Sequence, residues 1–142
     1  MRRVLPFILG LLLIAFLAFL YFEWNSPKKE PVTPELIHPL IQVDSPLPNA
    51  LIQSPFEITG EARGNWYFEA DFPIRLFDDQ KNEIAVAIGT AQGEWMTREF
   101  VPFRATLEFE TTAKKGVLVF QKNNPSDLRE NDDELRIPVR FR

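Results

Sequence analysis

Glu69 and Asp71 lie two residues apart in Trp66-Tyr67-Phe68-Glu69-Ala70-Asp71-Phe72-Pro73. A pair of carboxylates on one face is the equipment of glycoside hydrolysis, one acting as acid and the other as base or nucleophile. A second acidic group comprises Asp127, Glu130, Asp132, Asp133 and Glu134. Oxygen-rich loops of this kind can hold calcium. This one lacks the glycine and distal glutamate spacing of an EF-hand, so it reads as a solvated turn before a strand. The chain has one histidine, His38, and no cysteine. That leaves no cysteine-ligated metal, disulfide or thiol chemistry and no multi-histidine site. No residue is assigned a catalytic, metal-binding or cofactor-binding role, and the protein is expected not to be an enzyme. Aromatic residues at strand ends can stack on sugars or anchor a protein partner. Tyr67 and Trp95 are the candidate interaction residues, whereas Trp66 reads by its parity as core.

The formal net charge is −4. Arg2, Arg3 and Glu23 leave +1 in residues 1–24, so residues 25–142 carry −5. An acidic domain without a basic stripe argues against nucleic acid as a partner.

The carboxylates and aromatics must be positioned by β-structure. Trp66, Phe68, Ala70, Phe72, Ile74 and Leu76 alternate with Tyr67, Glu69, Asp71, Pro73 and Arg75. A period of two predicts one strand over 66–76 with a buried and a wet face. On that strand Glu69 and Asp71 are the wet side. Further strands are expected at 40–43, 56–62, 84–88, 103–109, 117–120 and 135–141, with turn residues between them. Ile84-Ala85-Val86-Ala87-Ile88 is apolar throughout and is expected to be covered on both faces. Pro73 and Pro138 cannot donate to a ladder and are expected at an edge or bulge. No segment after residue 25 has a helical period. About seven strands in 40–142 suit an all-β, immunoglobulin-like two-sheet sandwich. The chain has 13 phenylalanines, and most of those after residue 24 take inward positions and supply its ballast.

Val4–Phe22 is free of charge. At about 1.5 Å per residue it reaches roughly 28 Å, the thickness of a bilayer core. Arg2 and Arg3 precede it, and Tyr21 and Trp24 fall at its far end, where amphipathic aromatics favour the interface. The run is long and ends in bulky residues rather than a small-x-small cleavage site. Residues 1–24 are therefore expected to be an uncleaved transmembrane anchor. Pro27, Pro31, Pro34 and Pro39 make 25–39 a semi-extended linker of roughly 45 Å at about 3.1 Å per residue. Residues 40–142 form the domain. The positive charge on the two sides of the span is nearly balanced. The N-terminus is placed in the cytoplasm and the domain outside the cytoplasmic membrane.

Gly64-Asn65-Trp66-Tyr67-Phe68-Glu69-Ala70-Asp71-Phe72-Pro73 resembles the signature segment of the Gmad2 family, the immunoglobulin-like domain associated with bacterial spore germination proteins. Ile41-Gln42-Val43-Asp44-Ser45-Pro46 with Ser54-Pro55 is similar to the family's opening. Glu94-Trp95-Met96-Thr97 and Phe100-Val101-Pro102-Phe103 are similar to its middle. Asn124-Pro125-Ser126 and Leu135-Arg136-Ile137-Pro138-Val139 are similar to its end. Asp127 stands where glycine would be common, and Asp tolerates a left-handed turn. The resemblance implies an extracytoplasmic β-sandwich accessory to other envelope domains, with no catalytic residues. The expected function is a membrane-anchored, non-enzymatic domain that binds another protein of the bacterial cell envelope. The alternative is a glycan or peptidoglycan module using exposed aromatics.

Overall fold

The computed structural model describes residues 38–142. The anchor expected over 1–24 and most of the linker lie outside the described residues. Among the described residues no helix is long and apolar enough to cross a membrane.

Eight strands form the domain: β1 (Ile41–Ser45), β2 (Ala50–Ile52), β3 (Phe56–Arg63), β4 (Asp71–Asp78), β5 (Glu83–Ala91), β6 (Phe100–Leu107), β7 (Lys115–Gln121) and β8 (Glu134–Phe141). They make one curled sheet in the order β1-β3-β6-β5-β4-β7-β8-β2. Every pairing is antiparallel except β2 with β8, which is parallel. The all-β class is as the alternation predicts. The eighth strand, β2, has three residues, too few to show a period.

The core follows from the period of two. Phe103, Ala105 and Leu107 of β6 are buried, and Arg104 and Thr106 between them are exposed. Leu135, Ile137, Val139 and Phe141 of β8 do the same. Phe72 of β4 meets Phe103 edge-on at 4.9 Å, and Phe103 lies 6.3 Å from Phe120 of β7. These rings join the β3–β6 wall to the β4–β7 wall, so curling the sheet buries its inner face against itself.

The single strand expected over 66–76 is broken. Gly64–Trp66 is a 3-10 turn, and β4 begins only at Asp71. Phe68 and Asp71 exchange both backbone hydrogen bonds, at 3.0 and 3.2 Å. Glu69 and Ala70 between them have φ of 53° and 67°. This is a two-residue hairpin loop with both residues left-handed, a geometry that favours Asn-Gly. A side chain with a β-carbon adds roughly 1–2 kcal/mol of strain per residue there. Replacing Glu69-Ala70 by Asn-Gly is therefore expected to raise unfolding free energy by about 1 kcal/mol, measured by urea denaturation. No gain would mean that Glu69 or Ala70 makes a compensating contact. Asp127 also has positive φ, 56°, as its place in the turn predicts.

Two further expectations are corrected. β5 is not covered on both faces. Ala87 is buried, whereas Val86 and Ile88 are 47% and 49% exposed. Pro73 and Pro138 also lie inside the sheet order rather than on its outermost strands. Each sits one residue short of a second ladder: β4 pairs with β7 from Ile74, and β8 pairs with β2 from Val139. Their missing donors fall where a neighbouring ladder has not begun.

Candidate interaction surface

The residues singled out in the sequence do not converge. Tyr67 is 4% exposed, because the 3-10 turn sends both Trp66 and Tyr67 inward. Its hydroxyl donates to the Val101 carbonyl at 2.7 Å, and its ring packs edge-on against Phe72 at 5.4 Å. Tyr67 is thus a core residue and not an exposed aromatic. Burial, with the charge of Glu61 adding to it, pushes its phenol up to about 12 from the ordinary 10. The neutral form is the one the fold favours. Stability from this group is complete below pH 10 and is lost as pH rises from 10 through 12. Tyr67→Phe is expected to flatten this alkaline loss in unfolding curves taken between pH 9 and 12. At neutral pH it should cost about 1–3 kcal/mol, because the buried Val101 carbonyl loses its donor. An unchanged alkaline limb in the variant would assign the loss to other groups.

Trp95 is half-buried and packs against the core, and Met96 beside it is 75% exposed. Glu69 sits at the tip of the hairpin loop and Asp71 at the start of β4, so they are not neighbours on one strand face. Asp71 Oδ1 accepts from Asn123 Nδ2 at 3.3 Å. The acidic stretch is divided among separate partners. Asp132 accepts from Asn124 Nδ2 at 2.8 Å, and Glu134 accepts from Arg136 Nε at 2.7 Å. Asp133 lies 3.1 Å from His38 Nε2. The Leu40 N–H donates to His38 Nδ1 at 3.2 Å, so Nε2 carries the proton and donates to Asp133. The His38 ring also stands edge-on to Trp66 at 5.0 Å, fixing the chain's entry to the domain. Among the described residues no three His, Asp or Glu gather at a point that could hold a metal ion.

The surface that alternation did not single out is the outer face of β5-β4-β7-β8. Cross-strand register builds it in rows. Ile88 faces Pro73, Val86 faces Arg75, and Arg75 faces Val119, which faces Arg136. Phe77 faces Val117, which faces Pro138. Arg75 is held by two hydrogen bonds, Nε to Gln121 Oε1 and Nη1 to Glu83 Oε2, both 2.8 Å. Between Arg75 and Arg136, Val119 is 1% exposed although it points away from the core. Arginine stems lying over an aliphatic side chain account for that. Val86, Ile88 and Pro138 stay exposed, and Pro73, Phe77 and Val117 are half-covered. Two grooves bracket the face. One, of about 510 Å³, lies among Pro73, Gln121, Asn124, Asp132 and Glu134. The other, of about 470 Å³, lies among Asn49, Lys115, Val117, Pro138 and Arg140. A flat face of this kind offers aliphatic contact and charged, pre-ordered rims but no enclosed reaction chamber. The signal for it was present in Val86 and Ile88, but an unbroken apolar run cannot say which of its two faces is bare.

A family model described as the immunoglobulin-like domain of bacterial spore germination, Gmad2, matches residues 40–128. The match takes in β1 to β7 and stops before β8, although β8 completes the same sheet. No curated protein and no solved structure matches the chain.

Proposed function

The chain belongs to the Gmad2 family of immunoglobulin-like domains of bacterial spore germination, and from that premise we propose that it is a non-enzymatic protein-interaction module of the bacterial cell envelope. In this reading residues 1–24 anchor it in the cytoplasmic membrane. Residues 25–39 hold the domain away from the bilayer on the extracytoplasmic side, where it contacts another envelope protein of the germination apparatus. The carrying observation is the outer face of β5-β4-β7-β8. It puts Ile88, Val86 and Pro138 in solvent beside Arg75 and Arg136, which are already ordered by hydrogen bonds. Preordered arginines lose little entropy on binding, and aliphatic contact supplies the drive.

The glycan reading is less favoured. It needs bare aromatic rings, and of its two residues Tyr67 is enclosed and Trp95 is partly packed on the core. The test is crosslinking of the full chain in intact cells, followed by affinity recovery. A defined envelope protein is expected in the recovered complex. Pro138→Glu, on the exposed side of β8, is expected to lower that recovery several-fold. An identical recovery from the variant, or a set indistinguishable from an unrelated anchored protein, would overturn the proposal.

A further inference from the structure

Like β6 and β8, the inner strand β5 is hydrogen-bonded along only part of one side. It pairs with β4 along Glu83–Thr90, yet it pairs with β6 only at Thr90 and Ala91. Among the described residues, Glu83–Gly89 have no strand beside them on the β6 side. Half of their backbone N–H and C=O groups face that open side. Proteins usually blunt such an edge with lysine, proline, a bulge or extreme shortness. Here a bulge lies at the Glu83 end, where the register with β4 shifts between Leu76 and Phe77. Ala85–Gly89 beyond it are in regular register, with no charge and no proline.

The same stretch is a palindrome. Ile84-Ala85-Val86-Ala87-Ile88 reads alike in both directions. We propose that the open edge of β5 pairs antiparallel with the same edge of a second copy of this chain, about a twofold axis at Val86. In that register Ile84 meets the partner's Ile88, Ala85 meets the partner's Ala87, and Val86 meets its own counterpart. Within the palindrome every cross-strand pair is matched in volume. Glu83 meets the partner's Gly89, so no like charges stand opposite one another, the condition that most weakens strand pairs. The contact is isologous and closes as a dimer instead of growing into a fibre. It also explains why Val86 and Ile88 are bare in a single copy. Joined at β5, the two outer faces become one continuous surface in which these side chains gain neighbours across the axis. The inference rests on the edge and its sequence, and it stands or falls separately from the envelope partner proposed above.

The absence of cysteine from the chain gives a register-specific test. Single variants Val86→Cys and Ile88→Cys are made in the full chain, purified in mild detergent and oxidised. Across the proposed axis the α-carbons at position 86 lie about 4.5–5.5 Å apart, within disulfide range. Two residues at position 88 are offset by four residues, about 13 Å along the strand. A covalent dimer is expected from Val86→Cys and none from Ile88→Cys. Equal crosslinking of both, or of neither, overturns the proposal. Val86→Lys, at an exposed site that the fold tolerates, is expected to halve the particle mass in light scattering while the circular dichroism spectrum is unchanged. A dimer retained in Val86→Lys, or a wild-type chain that is monomeric at tens of micromolar, also overturns it. The monomeric outcome would leave the edge to an extended segment of another protein.

Discussion

Phe103→Ala is expected to reduce the unfolding free energy of the domain by about 3–5 kcal/mol, the range for emptying a packed aromatic site. Phe103 is fully buried on β6 and lies between Phe72 of β4 and Phe120 of β7. It therefore connects the two walls of the curled sheet. Its removal forfeits the transfer energy of the ring, two aromatic contacts and the fit of its neighbours. The strand opposite was shaped to this ring. Gly60 of β3 pairs with Phe103, and a β-carbon there would come within 2.8 Å of the Phe103 ring. The cavity cannot be refilled from that side, because the same β-carbon would also overlap the Gln42 carbonyl oxygen. Adding Gly60→Ala to Phe103→Ala is thus expected to lower stability further. Phe103→Leu, which keeps more volume, should cost about half as much as alanine. Urea denaturation of the three variants followed by tryptophan fluorescence checks the series. A loss below about 1 kcal/mol for Phe103→Ala would mean that the walls collapse to fill the gap.

The inner face was legible from alternation because strand parity and burial are one geometric fact. Phe103, Ala105 and Leu107, like Leu135, Ile137, Val139 and Phe141, are buried where the period puts them. The segment 66–76 shows how the same signal misleads. A hairpin loop of two residues inverts parity: Phe68 pairs with Asp71 on the outer face and is 39% exposed, whereas Phe72 is buried, so the apolar count runs unbroken across a reversal of the chain that it does not describe. Nothing in Glu69-Ala70 resembles the Asn-Gly that announces such a loop, and both residues are nonetheless left-handed. Tyr67 was misplaced for the related reason that a 3-10 turn, with three residues per turn, can bury adjacent side chains. β5 was hidden differently. Five consecutive apolar residues carry no period, and the sheet uses the small ones inward. Gly89 makes room for the Phe72 ring, Ala87 is buried, and the larger Val86 and Ile88 are turned out. The acidic stretch read correctly as a turn. Asp132 and Glu134 take near partners, Asn124 and Arg136, but Asp133 takes His38, 95 residues back, and no local pattern encodes that.

The remaining large effect concerns the start of the signature segment. Gly64→Val is expected to cost about 3 kcal/mol or more, the upper end for overpacking. Gly64 is buried in the 3-10 turn, and the chain at Trp95–Thr97 lies directly against it. A β-carbon at Gly64 would overlap the carbonyl oxygens of both Trp95 and Thr97. Side-chain clashes can be relieved by rotation, but these are backbone atoms. The Thr97 N–H donates to the Trp95 carbonyl at 2.8 Å, so the two residues are tied to each other and must move together. The Arg63 guanidinium adds a second tie, with Nη1 donating to the Arg98 carbonyl at 2.8 Å. To admit valine, the loop from Trp95 to Arg98 must lift off the turn, which uncovers Trp66 and Tyr67 at the end of the core. The expected signature has two parts: a lowered urea midpoint and new protease cleavage after Arg98 in the folded state. Gly64→Ala should show the same pattern in weaker form. Arg63→Ala, which removes only the outer tie, should increase cleavage with little loss of global stability. If Gly64→Val melts like wild type and the loop stays protected, the contact between the turn and the 95–98 chain is not what makes glycine necessary there.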